Sequence, residues 1–189
     1  MRISNNQKLD KLFIDRSSPY DFLSEPISEE DIETIFEAAC WSPSCYNEQP
    51  WYFCYARQAR ELEKFRSTLV EANQAWANRA PLLIYIFSKK YFSQNGKLNR
   101  WAEFDTGAAW MALTFQANKL GLHTHAMGGF DADKAFEVTG IDRDRYDVIC
   151  AVAVGKTSET SKDLKNRENL SLRKPMNEIV CESPRELIG

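Results

Sequence analysis

Apolar residues recur along this chain in two patterns, one at helical spacing and one in short continuous runs. Between Ser28 and Trp41 they lie on one helical face, at Ile32, Ile35, Phe36 and Ala39. Ser28 followed by Asp31 resembles a capping box, which predicts that a helix begins there. Pro43 disfavours helical geometry in the residue before it, so this helix should end near Trp41.

The continuous apolar runs predict four β-strands, at residues 51–56, 82–87, 122–127 and 146–154. The run LLIYIF at 82–87 is apolar at every position, which is typical of a strand buried on both faces. Three further helices are predicted between the strands, at residues 59–70, 101–120 and 132–139.

Gly121 stands where a glycine would end the longest of these helices. The segment EANQAWANRAP indicates only a polar bridge between a helix and a strand. The mixed order of elements predicts an α+β or α/β fold with three-layer packing, in one domain that spans residues 1–189. Residues 157–189 begin with a polar stretch almost without apolar side chains, which predicts an arm that is loose or lies on another surface.

Composition narrows the class of protein. An apolar content of 43% with 8 glycines and 7 prolines excludes disordered and fibrous chains. A net charge of −3 provides no basic field for nucleic acid. The amino-terminal residues lack the apolar core of a signal peptide, and no run approaches the length of a membrane span, so we expect a cytoplasmic protein without a membrane partner. Five cysteines without CxxC spacing predict reduced thiols.

Two motifs suggest chemistry that the sequence does not complete. AVAVGKTS ends like a P-loop, but the position that requires glycine holds Cys150 and the residues before it are a predicted strand. His123 and His125 share one face of a predicted strand, yet no nearby carboxylate or cysteine pattern completes a metal site. We therefore expect no bound metal, and a hydrogen-bonded structural role for both histidines.

The stretch SPSCYNEQPW, residues 42–51, follows a helix with two prolines, several short hydrogen-bonding side chains and a thiol. It could be a plain loop, a cofactor cradle, or a nucleophile site in which Cys45 pairs with a distant histidine as its base.

Glycines and cations supply further candidates. Gly128 and Gly129 lie between a strand and a helix, where two residues without Cβ would let a flat molecule approach the backbone; the alternative is a turn that needs positive φ. Arg16, Ser17 and Ser18 combine a guanidinium with two hydroxyls, a set that suits a phosphate. The alternative for Arg16 is an exposed side chain beside a turn.

Taken in order, Arg16-Ser17-Ser18, the capped helix, SPSCYNEQPW, the long helix ending at Gly121 and MGGFD resemble the FMN-dependent nitroreductase family. The resemblance covers residues 13–180 approximately. It implies an α+β fold, a three-layer sandwich with a central mixed sheet and an extended C-terminal arm. It also implies a homodimer with FMN at the subunit interface, and an arm over 157–189 that packs on the partner subunit.

The same resemblance implies roles for individual residues. Toward the FMN phosphate it places Arg16, Ser17, Ser18, Arg173 and Lys174. Toward the flavin ring and ribityl chain it places Asn73, Met127, Gly128 and Gly129, and from the partner subunit Pro43, Ser44 and Asn47. Many relatives have a basic residue where this chain has Tyr20, a loss that Lys174 could offset.

The implied activity is ping-pong oxidoreduction, in which NADH or NADPH passes hydride to FMN and leaves before an electron-poor acceptor, such as a nitroaromatic or a quinone, binds. The flavin carries this chemistry, so no catalytic side chain is predicted. Trp76, Phe130 and Tyr46 are candidates to line the acceptor pocket, with core packing as the alternative. Two other functions stay open: a flavin-binding module without turnover, and a thiol hydrolase that uses Cys45.

Overall fold

A computed structural model describes residues 6–158 and 173–182, which form helices on both faces of one sheet. The helices are α1 (Lys11–Asp15), α2 (Glu29–Cys40), α3 (Ala59–Ser67), α4 (Glu71–Ala77), α5 (Ala102–Lys119), α6 (Ala132–Thr139) and α7 (Met176–Ile179). The strands are β1 (Trp51–Ala56), β2 (Leu82–Lys89), β3 (His123–Met127) and β4 (Tyr146–Gly155). A short 3₁₀ turn covers Cys45–Asn47.

The strands are ordered β1-β2-β4-β3, so β1 and β3 are the edges of the described sheet. All three described strand pairs are antiparallel. The α+β class is therefore confirmed, while the parallel pairing that a mixed sheet would require is not found among the described strands.

Alternation along the central strands divides the core into two layers. Odd-numbered side chains of β2, such as Leu83, Tyr85 and Phe87, pack with α3, α4 and α6. Even-numbered ones, such as Leu82 and Ile84, pack with α2 and α5 on the opposite face. Both sets are buried, which confirms the prediction for LLIYIF and gives the three layers expected.

The strongest helix signals agree with the structure. Ser28 caps α2 by accepting a hydrogen bond from the Asp31 amide at 3.0 Å, and Trp41 is its C-cap residue. Gly121 follows α5 with a φ of 74°, as expected of a glycine that ends a helix.

The polar bridge was a wrong prediction, because residues 71–77 form α4. This helix has seven residues and no side-chain N-cap, and Ala77 is its one buried residue, so the sequence carries a weak helical pattern. Tertiary contacts hold it instead: Asn73 donates to the Gly129 carbonyl at 2.9 Å, and Trp76 packs on the core.

The described part of the C-terminal region, residues 173–182, is exposed throughout. Its apolar side chains Met176, Ile179 and Val180 are among the exposed large hydrophobic residues. The rest of the predicted arm, residues 159–172 and 183–189, lies outside the described residues. In the described portion, no helix is long and apolar enough to cross a bilayer.

Candidate functional site

The edge strand β3 fastens the amino-terminal segment to the sheet. His123 and His125 point to the same face of β3, as predicted. The His123 Nδ1 lies 3.4 Å from the Ser17 hydroxyl, and the His125 Nδ1 lies 2.7 Å from the Pro19 carbonyl oxygen, to which its N–H donates. Both histidines therefore have the hydrogen-bonded role expected of them, and residues 17–19 run beside the strand.

Arg16, Ser17, Ser18 and His123 form one polar cluster at the start of β3. Arg16 is the C-cap residue of α1, and its Nη1 donates to the Ser18 hydroxyl at 3.2 Å. Burial, together with the charge of Arg16, lowers the pKa of His123 below its ordinary value. The cluster thus combines a fixed cation, two hydroxyls and an imidazole, all of which can donate hydrogen bonds to an anion.

Asn73, Gly128 and Gly129 meet at the other end of β3. Asn73 Nδ2 donates to the Gly129 carbonyl at 2.9 Å, and the Val70 amide donates to the same oxygen at 3.1 Å. A Cβ added at Gly129 would lie 2.7 Å from Asn73 Nδ2 and 2.8 Å from Val70 Cγ2. Gly129 is therefore required for packing within the chain.

Gly128 differs from its neighbour. It is exposed, and an added Cβ would find no protein atom within 4 Å. Neither glycine has a positive φ, so the alternative of a turn that needs one is wrong. Nothing within the described chain explains a glycine at 128, and the open backbone there suits close approach of a flat ligand.

Aromatic rings occupy the middle of this face. Trp76 from α4 lies 4.3 Å from the His125 ring, and Tyr20 packs edge-on against both, with ring centroids at 5.2 and 4.6 Å. Phe130 packs on Tyr85 at 5.3 Å. Trp76 and Phe130 thus have the core-packing role that was the alternative to lining a pocket.

The 42–50 loop has a strained backbone. Tyr46, Asn47 and Gln49 all have positive φ, between 50° and 55°. Such a conformation is uncommon outside glycine and costs on the order of 1–3 kcal/mol for each residue, so other contacts must maintain it.

Two anchors hold the loop. Asp105, a buried residue in the first turn of α5, accepts a hydrogen bond from the Cys45 amide at 2.9 Å. Glu48 accepts from the Ser93 amide at 2.8 Å and pairs with Lys89 at 3.1 Å. Although burial raises the pKa of Glu48, the bonds from Ser93 and Lys89 hold it below the ordinary value.

Within the loop, the Ser44 hydroxyl accepts from the Gln49 amide at 3.0 Å, while Pro43 and Asn47 are exposed. Tyr46 is 81% exposed and touches Phe92. Hydrogen bonds join the loop to α2, to α5, to the end of β2 and to the segment after β2. The structure therefore brings Arg16, Ser17 and Ser18 together, and Asn73 with Gly129. It shows no contact of Pro43, Ser44 or Asn47 with these residues in the described part of the chain, so their role toward a flavin stays a prediction.

Three other predicted residues need separate mention. Met127 is buried at the end of β3. Arg173 and Lys174 lie in the exposed segment before α7, so their role toward a phosphate stays a prediction. The Nδ1 atoms of both histidines contact the amino-terminal segment, and the pairing of Cys45 with a histidine base stays a prediction.

Sequence reasoning missed the residues that support the site. Asp105 and Glu48 shape the 42–50 loop, and His123 joins the polar cluster. A carboxylate in the first turn of the longest helix is a signal, because it favours the helix N-terminus. Its bond to Cys45 spans 60 positions, however, and no local pattern reveals it.

Comparisons with known proteins cover most of the chain. The family model described as "Nitroreductase family" matches residues 14–71 and 56–156. A solved structure of an oxidoreductase containing FMN is 36% identical, covers 97% of this chain and 98% of its own, and superposes with a TM-score of 0.85.

Two more distant proteins extend the comparison. A nitroreductase family protein from Streptococcus pneumoniae TIGR4 shares the fold with a TM-score of 0.77 at 21% identity, covering 92% of this chain and 98% of its own. A Ralstonia nicotianae protein, provisionally designated NADH dehydrogenase/NAD(P)H nitroreductase, is 26% identical over 80% of this chain and 87% of its own length. The family model spans more than half of the chain, and so the chain belongs to the nitroreductase family.

Proposed function

We propose that the protein is an FMN-dependent oxidoreductase that transfers hydride from NADH or NADPH through the flavin to an electron-poor acceptor such as a nitroaromatic or a quinone. The observation that carries the proposal is the layout of β3, with the polar cluster at one end and the open backbone of Gly128 at the other. Residues 123 and 128 are five positions apart, about 16 Å along an extended strand. A ligand with a phosphate at one end and a flat ring at the other suits that layout.

The polar cluster fits the phosphate end. Arg16 presents a guanidinium whose planar fork matches phosphate oxygens, and Ser17 and Ser18 add two hydroxyl donors. Arg173 and Lys174 are proposed to join them from the C-terminal segment.

The glycine end fits the ring. The open space at Gly128 allows a flat group to lie against the backbone, where amides near Met127 and Gly129 can donate to it. Asn73, fixed by the Gly129 carbonyl, has a side-chain oxygen that can accept a further hydrogen bond. When bound, FMN would supply hydride acceptance and donation, and this chain's residues would orient it and stabilise negative charge on its ring.

A homodimer is part of the proposal because large aromatic side chains are exposed at the end of α2 and in α5. Trp41 is 82% exposed and Phe104 of α5 is 76% exposed. Exposed apolar surface of this kind marks an interface. We propose that a second copy covers it, that residues 157–189 pack on the partner, and that the 42–50 loop presents Pro43, Ser44 and Asn47 to the partner's flavin.

A cytoplasmic location accords with the state of the cysteines. All five are free thiols: Cys40, Cys45, Cys54, Cys150 and Cys181. Reduced cysteines are typical of a reducing compartment.

The test is spectroscopic and kinetic. The purified protein should take up FMN, bleach when NADH or NADPH is added without oxygen, and regain its colour when a nitroaromatic or a quinone follows. Parallel lines in double-reciprocal plots would support the ping-pong order. A protein that takes up no FMN would overturn the proposal, and FMN uptake without bleaching would favour the binding module. Turnover by a flavin-free protein that is lost in Cys45→Ser would favour the hydrolase.

A further inference from the structure

His123 occupies an unusual position for a residue with only a structural role. Its ring nitrogen contacts Ser17, one of the two hydroxyls in the polar cluster, rather than a backbone carbonyl. His125, two residues further on, instead donates to the Pro19 carbonyl and packs between Trp76 and Tyr20. The two histidines on one strand face thus have different partners. His125 holds the backbone of the amino-terminal segment, and His123 lies next to the proposed phosphate donors.

Within the described part of the chain, the charge that acts on His123 comes mainly from one side. From the amino-terminal segment, Arg16 acts on it. On β4 the residue opposite is Gly155, and Lys156 after it is paired with Glu25 at 2.9 Å. From α5, contact with β3 is made on the opposite face, where Thr124 bonds Thr114. On its own strand the neighbouring titratable group is His125.

A positive neighbour and burial both disfavour the imidazolium, so the free protein holds His123 in its neutral form near neutral pH. A bound phosphate would oppose that effect, because it brings a charge of about −1.5 to −2 next to the imidazole. Tyr20 adds no cation here, because a phenol side chain carries no positive charge; its ring packs on His125 and Trp76.

We propose that His123 is a further phosphate-binding residue of the flavin site, which takes up a proton from solvent when FMN binds and then donates to the phosphate as imidazolium. This inference rests on the proposed function. His123 would then be a second cation in the polar cluster, charged when FMN is bound and neutral when it is not. FMN binding should therefore strengthen as the pH falls through the range in which His123 titrates.

The direction follows from linkage. A ligand that raises the pKa of a group takes up protons on binding, so its affinity increases toward lower pH. A rise of about one pKa unit corresponds to roughly tenfold tighter binding on the acidic side. The FMN phosphate, with a second pKa of about 6, loses charge in the same range, but this affects every variant equally.

The experiment measures FMN dissociation constants between about pH 5 and about pH 8, because the pKa of His123 in the free protein lies below the ordinary imidazole value of about 6.5. His123→Asn keeps a hydrogen-bonding side chain without a titrating charge, and His125→Asn is the matched control on the same strand face. The ratio of variant to wild-type dissociation constants should grow roughly tenfold toward low pH for His123→Asn and stay flat for His125→Asn. With riboflavin, which lacks the phosphate, both ratios should be flat.

A second measurement follows the histidines of the wild-type protein directly. The chain has 2 histidines, so proton NMR resolves two imidazole titrations, which the variants assign. FMN should raise the pKa of His123 and leave that of His125 nearly unchanged. A His123 titration that is the same with and without FMN, or a flat ratio for His123→Asn, would overturn the inference alone. Wild-type protein that takes up no FMN at any pH would overturn the proposed function as well.

Discussion

The β3 face and the 42–50 loop both resemble flavin-binding segments, yet they are built differently. On the β3 face the proposed ligand groups contact one another within one chain: Arg16 with Ser18, and Asn73 with Gly129. The loop has a strained backbone, and hydrogen bonds hold it to α5, to the end of β2 and to the segment after β2. One region is assembled within a single subunit, whereas the other has its proposed role only in a homodimer, where it would contact the flavin of the partner subunit.

The largest expected effect tests the β3 face. Arg16→Ala should weaken FMN binding by about 1.5–3 kcal/mol, the range for a lost hydrogen bond to a charged group, or roughly ten- to 150-fold. Fluorescence titration with FMN measures it. Arg57→Ala is the control, because Arg57 forms an exposed ion pair with Glu29, and such pairs contribute little. Unchanged FMN affinity in Arg16→Ala would argue against a phosphate site at this end of β3.

The adjacent glycines should respond in opposite ways. Gly129→Ala places a methyl group against Asn73 and Val70, so the free energy of unfolding should fall by about 1–3 kcal/mol. Gly128→Ala has open space and should keep its stability within about 0.5 kcal/mol, while FMN affinity falls. Chemical denaturation and FMN titration of both variants separate the two roles. Full FMN affinity in a stable Gly128→Ala protein would argue against a ring at this backbone.

The loop is tested through its anchor. Asp105→Ala leaves the Cys45 amide without its acceptor, which should cost about 1–2 kcal/mol of unfolding free energy and loosen the strained turn. FMN affinity should fall as well if the loop covers a flavin. Asp105→Asn retains an acceptor oxygen and should lose less, and Cys45→Ala retains the amide and should bind FMN normally. Normal FMN binding by Asp105→Ala would mean that the loop has no part in the site.

The smallest effect concerns Gly107, an exposed glycine within α5 that has no heavy atom within 4 Å of an added Cβ. In an isolated subunit, alanine there should raise stability by about 0.5–1 kcal/mol through helix propensity. If a second chain packs closely on α5, the methyl group should instead weaken association. Analytical ultracentrifugation over a dilution series distinguishes the two, and a more stable monomer with no change in association would place the interface elsewhere.

Most of the fold was predictable because its signals are local. The Ser28 cap, the continuous apolar run of β2 and Gly121 after α5 each act through neighbours within a few residues. Helix α4 was not predictable in this way. Its stability comes from contacts with β3 and the segment after it, which are distant in sequence.

The site divides along the same line. Arg16, Ser17, Ser18, Gly128 and Gly129 could be named from residue type and spacing, since guanidinium, hydroxyl and bare backbone are recognisable in a sequence. Their arrangement could not be predicted, because it depends on which edge of the sheet the amino-terminal segment joins.

By itself, the sequence determined a mixed α and β fold and the buried central strand, and it supplied the residues predicted to bind phosphate and ring, because periodicity and side-chain chemistry are local properties. Tertiary structure alone decided that Gly129 serves packing while Gly128 is open, that Asp105 fixes the Cys45 amide, and that His123 rather than His125 meets the serines. Each of these depends on contacts between residues at least 56 positions apart. Such contacts exist only after the chain has folded.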